Sequence, residues 1–150
     1  MLIVVLLLGV APGLKAEEST PAWPAGARAA ANVASYAPVV AELALDTVHA
    51  WRAEDRRRAL VVEGLRVGVV VGASELVKRA VGRPRPDGSD RFSFWSEHTA
   101  LAASAGGWSL QASIPLTFSA GYLRIAADKH HPSDVVVGAV VGGLAARFIR

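Results

Sequence analysis

The pattern of apolar and polar positions along the chain predicts helices joined by short polar segments. The alanine-rich stretch from Arg28 to about Trp51 favours a helix, with a break or kink expected at Pro38 because proline interrupts helical hydrogen bonding. Residues 59–78 are apolar on nearly every face, as in a central helix, and their length favours a helix over a valine-rich strand. Residues 134–150 form a last apolar segment, so we predict an all-α bundle.

Glycines recur at every fourth position in both of these apolar segments. Gly64, Gly68 and Gly72 fall on one face of the first, and Gly138 and Gly142 on one face of the second. Such spacing is typical of helix pairs in membranes. We favour a different interpretation, in which the glycines allow two helices within one domain to pack closely.

The N-terminus begins with a short apolar run that ends at Pro12 and Gly13. The run is too short for a membrane-spanning helix, which needs about 20 residues. Its length is typical of the apolar part of a signal peptide, although no basic residue precedes it and a buried N-terminal helix is the alternative. We therefore expect residues 1–16 to be a signal peptide or hydrophobic segment, 17–27 a linker and 28–150 the domain of an exported protein.

Composition narrows the choice of partners only slightly. A chain of 150 residues supports one hydrophobic core. The net charge of +3 favours anionic partners in general and is too small to indicate nucleic acid, so we expect no nucleic-acid partner. The absence of cysteine excludes disulfides and thiolate metal sites.

Three short polar clusters fall at predicted helix ends or in loops, where functional groups are usually placed. In chain order they contain Lys78, Arg85 and Pro86; Ser96, Glu97 and His98; and Arg124, His130, His131 and Asp134.

These residue types are suited to phosphoryl transfer. Three cations can neutralise a phosphoryl group and the charge that develops on its oxygens. Ser96 and the free N–H groups at the start of its helix add donors. Two histidines can provide a nucleophile and a proton donor. Asp134 can orient a ring, but these residues alone do not decide between His130 and His131.

The ordered motifs K-x6-RP, S-x-H and R-x5-H-x3-D resemble the signature of the type 2 phosphatidic acid phosphatase superfamily, which includes class A acid phosphatases and vanadium haloperoxidases. The resemblance spans residues 78–134. It implies that His130 is the nucleophile, that Asp134 orients it and that His98 is the general acid and base. It also implies that the phosphate oxygens are held by Lys78, Arg85, Ser96, Arg124 and the backbone of Glu97, without a metal or other cofactor.

Glu97 departs from this signature, because it stands where the family has glycine. Its backbone N–H is retained, but an inward carboxylate would repel a phosphate. We expect it either to face away, pairing with an arginine such as Arg83 or Arg91, or to lower activity. Glu97 therefore motivates one alternative function, a non-catalytic phosphate- or anionic-lipid-binding domain. A second alternative is a haloperoxidase with vanadate as cofactor, because vanadate mimics the five-coordinate phosphoryl transition state and could bind in the same pocket. In a phosphatase, vanadate would inhibit.

The spacing between motifs also bears on the membrane. His98 and Arg124 are separated by 25 residues that are interrupted near their middle. Two helical arms of about 12 residues would each reach about 18 Å, short of the ~30 Å hydrocarbon core. We therefore predict a compact domain with peripheral membrane contact and a substrate that is a phosphorylated small molecule or a lipid phosphate.

Overall fold

A computed structural model describes residues 23–104 and 110–150, and these residues contain helices and no strand. The helices are α1 (Ala25–Ala34), α2 (Tyr36–Arg52), α3 (Arg56–Val81), α4 (Glu97–Ser104), α5 (Leu110–Ala126) and α6 (Pro132–Phe148). The all-α prediction is confirmed. The predicted N-terminal segment, 1–16, and the linker as far as residue 22 lie outside the described residues, and α1 begins within the last part of that linker.

The first predicted helix is interrupted at Ser35 rather than at Pro38. The backbone N–H of Ser35 donates to the carbonyl of Ala31, and its hydroxyl donates to the carbonyl of Asn32. Pro38 instead lies in the first turn of α2. No intrahelical bond is lost there, because N–H groups in the first turn have no helical partner.

Helix α3 has a defined cap at each end. The carboxylate of Asp55 accepts a hydrogen bond from the backbone N–H of Arg58 at 3.1 Å. At the other end Gly82 adopts the left-handed conformation (φ 59°) and donates to the carbonyl of Lys78. This ending fixes Lys78 in the last turn of the longest helix.

The short helix α4 lies at the centre of the fold, in contact with α2, α3, α5 and α6. Its packing against α6 is the most extensive in the molecule and depends on glycine. A Cβ atom at Gly138 would collide with the carbonyl oxygen of Ser96, and one at Gly142 with that of Ala100. The predicted close packing is therefore confirmed for the glycines of α6.

The prediction is wrong for the glycines of α3. A Cβ at Gly64, Gly68 or Gly72 would meet no atom within 4 Å, so this face of the helix does not pack against another helix among the described residues. Helix α3 instead turns a polar face towards the core. Its buried positions are Glu63, Arg66, Val70, Ser74 and Lys78, which follow one another at helical spacing.

The core of the described residues consists mainly of small and polar side chains. Its buried apolar members are mostly alanines, and the larger fully buried side chains include Glu42, Thr99 and Asp134 alongside Val70. Large apolar side chains lie on the outside of the helices instead. Within the two described ranges, no helix is both long enough and apolar enough to cross a bilayer.

Candidate active site

The third polar cluster brings His130 into the interior at the junction of α5 and α6. Its ring is almost fully buried, and its two nitrogens face different partners. Nδ1 lies 2.6 Å from the backbone carbonyl oxygen of Ser93, and Nε2 lies 3.4 Å from Nη2 of Arg124. A carbonyl oxygen can only accept, so Nδ1 carries the proton and the lone pair of Nε2 is directed towards Arg124.

Asp134 occupies the first turn of α6 and is fully buried. One carboxylate oxygen accepts from Arg83 at 2.6 Å, and the other accepts from the hydroxyl of Ser93 and the backbone N–H of His131. Burial by itself would raise the pKa of Asp134, but its hydrogen bonds and the charge of Arg83 keep that pKa below its ordinary value. Asp134 is therefore a fixed anion.

The distance from Nδ1 of His130 to the Asp134 carboxylate is 3.9 Å, beyond hydrogen-bond range. The direct anchor of the His130 ring is the carbonyl of Ser93. Asp134 holds the hydroxyl of the same Ser93 and acts on the ring at longer range, and its expected orienting role stays a prediction. Sequence reasoning missed Ser93, which belongs to none of the three motifs.

The adjacent histidine is turned elsewhere. The backbone of His131 is extended (φ −73°, ψ 154°), as the residue before proline must be. Its Nε2 lies 3.2 Å from the carbonyl oxygen of Pro84. Neighbouring side chains on an extended chain point in different directions, so only His130 faces Arg124.

Arg124 provides the site with a cation that has no anionic partner. Its side chain is almost fully buried, and Nη1 donates to the amide oxygen of Asn32 in α1 at 2.7 Å. No carboxylate of the described residues lies within ion-pair distance of it. Burial, and then the charge of Arg85, lower the pKa of Arg124 to about 10, so it stays charged at neutral pH.

His98 lies in the first turn of α4. Its ring packs edge-to-face on Tyr36 at 4.5 Å, and its buried Nε2 has no hydrogen-bond partner among the described residues. Burial, followed by the charge of Arg124, lowers the pKa of His98 to about 3. The charges of Lys78 and Arg85 also lower this pKa.

Ser96 joins the second cluster to the third. It is fully buried, and its backbone N–H donates to the carbonyl of Asp134 at 3.0 Å, which ties the start of α4 to the start of α6. Its hydroxyl oxygen accepts from the hydroxyl of Thr99 at 2.9 Å. The Ser96 proton is therefore available for a further acceptor.

The carboxylate of Glu97 contacts Lys78, one of the predicted phosphate ligands. Its Oε2 lies 2.9 Å from Nζ of Lys78, so the expectation that it would pair with Arg83 or Arg91 is wrong. Arg83 is taken by Asp134, and Arg91 is exposed. Glu97 is the first residue of α4, where the dipole of α4 favours a negative charge. This end of α4 lies opposite the last turn of α3, where Lys78 is the nearest cation.

Arg85 is also paired. Its Nε lies 2.6 Å from the carboxylate of Asp90 in the same loop. That loop is closed by backbone hydrogen bonds from Arg85 to Asp90 and from Ser93 to Arg83. The carboxylate of Asp90 thus fixes one of the predicted phosphate ligands.

Together these contacts bring parts of all three motifs to one place. The arrangement offers a buried imidazole whose Nε2 faces the cation of Arg124, a second imidazole whose Nε2 has no hydrogen-bond partner among the described residues, and the hydroxyl proton of Ser96. Such a set can bind a tetrahedral oxyanion and place its central atom next to a nucleophile.

Comparison with curated proteins finds similarity to the Lipid A 1-phosphatase of Porphyromonas gingivalis, with 30% identity over 123 residues. The alignment covers 74% of this chain and 28% of the relative. The chain thus spans less than a third of the length of the curated relative it matches. No family model matches the sequence, and no solved structure matches it.

Proposed function

We propose that this chain hydrolyses a phosphomonoester through a covalent intermediate on His130. The observation that carries the proposal is the pairing of a buried histidine, held by the carbonyl of Ser93, with a buried Arg124 that no carboxylate neutralises. The similarity to a protein named as a phosphatase supports the same reaction class. The roles given to single residues rest on their geometry and on the motifs.

In the first step, Nε2 of His130 attacks phosphorus and the bond to the leaving oxygen breaks. The developing charge on the equatorial oxygens is stabilised by Arg124 and by the proton of Ser96. His98 donates a proton to the leaving oxygen. A bound phosphate offsets the neighbouring positive charges, which raises the pKa of His98 from about 3 and lets it carry that proton.

In the second step, water attacks the phosphohistidine and His98, now neutral, removes a proton from it. The phosphorus–nitrogen bond breaks and Nε2 of His130 regains its lone pair. The Nδ1–H of His130 donates to the carbonyl of Ser93 throughout, so the ring keeps its tautomer. Inorganic phosphate leaves and the site returns to its starting state.

A lipid phosphate is the substrate class that we propose. Exposed apolar side chains form stripes at helical spacing, with Ile114, Phe118 and Tyr122 on α5 and Val136, Val140 and Leu144 on α6. The stripe on α6 begins two residues after Asp134. Contiguous exposed apolar surface marks an interaction site, and hydrocarbon next to a phosphate site suits a lipid at a membrane surface. The relative, named for lipid A, supports this class, and the apolar N-terminal run supports export.

Hydrolysis of a chromogenic phosphomonoester by wild type and His130→Ala tests the reaction, with His131→Ala as the matched control. We expect His130→Ala to lose activity by about a thousandfold or more, while His131→Ala stays within a fewfold of wild type. Mass spectrometry after an alkaline quench, which preserves phosphohistidine, should find the phosphoryl group on His130. Equal rates in wild type and His130→Ala would end the proposal.

The lipid class has its own test. The double variant Phe118→Ser/Val140→Ser should lose activity on a phosphorylated lipid in mixed micelles while keeping its rate on the soluble ester. Gln111→Ala, an exposed polar change on the same helix, is the control. Equal losses on both substrates would remove the membrane-surface part of the proposal and leave the chemistry intact.

Glu97 favours a second candidate, a domain that binds phosphate without turning it over. Its pairing with Lys78 occupies one predicted phosphate ligand. This candidate predicts saturable binding of vanadate with no hydrolysis, and a gain of hydrolysis in Glu97→Gly. Hydrolysis by the wild type would exclude it.

A further inference from the structure

Glu97 and Lys78 form an ion pair within the proposed phosphate site. The Lys78 side chain is 10% exposed, so little water competes for its charge. Glu75 also approaches the same Nζ, but at 3.5 Å and with half of its side chain exposed. Glu97 is therefore the main counterion of Lys78 in the ligand-free site.

The other charges of the site show the same pattern of pairing. Three cations of the site are each paired with a carboxylate, namely Lys78 with Glu97, Arg83 with Asp134 and Arg85 with Asp90. Glu75, which also approaches Lys78, is paired with Arg79 at 3.4 Å, so these two charges cancel. Arg124 has no such partner among the described residues. Both site histidines have lowered pKa values, mainly because of burial, and add no charge at neutral pH. The site thus has an excess of one positive charge.

We propose that Glu97 sets the charge state that the site accepts, so that a singly charged tetrahedral group binds in preference to a doubly charged one. This inference rests on the proposed function and specifies its substrate: the protonated, monoanionic form of a phosphomonoester. One excess positive charge matches one negative charge. A dianion carries a second negative charge, which Lys78 would otherwise neutralise. Because Glu97 already pairs with Lys78, its carboxylate would repel that second charge.

A purely structural role for the pair makes a different prediction. If the role of Glu97 were only to neutralise the buried charge of Lys78, the variant Glu97→Gln would have a lower free energy of unfolding. The relative affinities for anions of different charge would then stay the same. The ratio of two affinities therefore separates the two roles, because general loosening of the site weakens both anions.

Methyl sulfate and methyl phosphate form a matched pair of probes. Both are tetrahedral and similar in size, but at pH 8 the first carries one charge and the second two, since the second pKa of a phosphate ester is about 6. We would measure both dissociation constants by titration calorimetry for wild type, Glu97→Gln and Glu75→Gln. Every protein in this test also carries His130→Ala, so methyl phosphate, itself a phosphomonoester, binds without being turned over and the test does not depend on hydrolysis.

In wild type we expect methyl sulfate to bind at least as tightly as methyl phosphate. In Glu97→Gln, affinity for methyl phosphate should rise by about tenfold relative to methyl sulfate, because a charge a few ångströms away acts twice as strongly on a dianion. Glu75→Gln, the more distant and exposed neighbour, should change this ratio less than twofold. Adding Lys78→Met to Glu97→Gln should abolish the gain.

The outcomes separate the two proposals. Binding of both probes with the same ratio in wild type and Glu97→Gln would overturn charge selection and leave the phosphate site standing. Failure of every variant to bind either probe would overturn the phosphate site, and charge selection with it.

Discussion

Helix α3 carries two clusters of buried charge, which differ in sign. Towards its C-terminus, Lys78 lies in the cation-rich candidate site. Arg66 lies about 18 Å before Lys78 along the axis of α3. There Arg66 and Glu63 face two acidic residues of α2, Asp46 and Glu42. Cations are in excess at the first cluster and carboxylates at the second.

The second cluster is only partly paired. Arg66 donates to Asp46 at 2.9 Å and to the carbonyl of Ser104, and Glu63 accepts from Thr47 at 2.8 Å. Both carboxylate oxygens of Glu42 are buried without a hydrogen-bond partner among the described residues. Burial raises the pKa of Glu42 to about 6, and the pKa of Asp46 reaches about 6 for the same main reason.

The difference lies in how each cluster can lose its excess charge. The carboxylates of the acidic cluster take up protons as the pH falls to about 6 and below, so that cluster can lose charge without a ligand. Arg124 has a pKa of about 10 and cannot discharge at neutral pH. A buried charge therefore indicates a ligand site when it can neither be paired nor titrated, and Arg124 meets both conditions.

The largest effects on activity and stability should come from replacing Arg124 in the candidate site and Arg66 in the acidic cluster. Arg124→Met removes a donor to the developing oxyanion and should lower phosphatase activity about 100- to 1,000-fold. The free energy of unfolding should stay the same or rise, because no buried carboxylate loses its partner. Steady-state kinetics and urea unfolding measure the two quantities.

Arg66→Met should behave in the opposite way. It leaves Asp46 buried without its cation, which costs about 3–5 kcal/mol of stability when one partner of a buried pair is removed. The rate per folded molecule should change little, since Arg66 touches no residue of the candidate site. If Arg66→Met lowered the rate per folded molecule as strongly as Arg124→Met, the functional distinction between the clusters would be lost.

The next effect concerns pH and belongs to the acidic cluster. The pKa of Glu42 is raised from 4.5 to about 6 on folding, so the native state binds more protons than the unfolded state between these values. The contribution of Glu42 to the free energy of unfolding is therefore fully present below about pH 4.5 and is lost as the pH rises through about 6. By pH 7 the loss is about 2 kcal/mol.

Glu42→Gln cannot ionise and should flatten this part of the stability curve. Urea unfolding of both proteins at pH 4.5 and pH 7 gives the comparison, with Glu54→Gln, an exposed glutamate in the turn before α3, as control. A wild-type curve that keeps its slope in Glu42→Gln would assign the pH dependence to another group.

The sequence predicted those features of the fold that depend on neighbouring residues. It did not predict the features that depend on contacts between distant parts of the chain. Helix type is a local property, and the spacing of the apolar positions predicted it. The orientation of α3 was not foreseen, because an apolar composition was taken to mean an apolar interior. The structure buries Glu63, Arg66 and Lys78 of α3 and exposes Val61, Leu65 and Val69. Glycine spacing was equally ambiguous, since it marked a packed face in α6 and an open one in α3.

The site shows the same limit. The resemblance of the three motifs predicted that His130, His98 and Arg124 share one site, whereas spacing alone encodes only what lies at one helix end. The anchors Ser93 and Asn32 lie 37 and 92 residues from their partners and could not be inferred from any short pattern. The ion pair between Glu97 and Lys78 also depends on how α3 and α4 pack together, so no short pattern could predict it.

A smaller effect should appear in the titration of His98. Its pKa is lowered to about 3 by burial and by the neighbouring positive charges. A bound oxyanion offsets those charges, so vanadate should raise this pKa by about one to two units. Proton NMR of the imidazole, with and without vanadate, measures the shift, and His49, on α2 and outside the candidate site, is the internal control. An unchanged titration of His98 in a vanadate-saturated protein would place the oxyanion elsewhere.

The smallest effect contrasts two buried serines. Ser93→Ala removes one donor to the Asp134 carboxylate but keeps the backbone carbonyl that anchors His130, so we expect a loss of about 1–2 kcal/mol in stability and a fewfold drop in rate. Ser74 lies on the polar face of α3 between the two clusters, and its buried hydroxyl has no partner among the described residues. Ser74→Ala should therefore leave stability unchanged or slightly higher and the rate unaltered. Equal losses in both variants would mean that the Asp134 network contributes no more than any buried hydroxyl, and that His130 is positioned by the carbonyl alone.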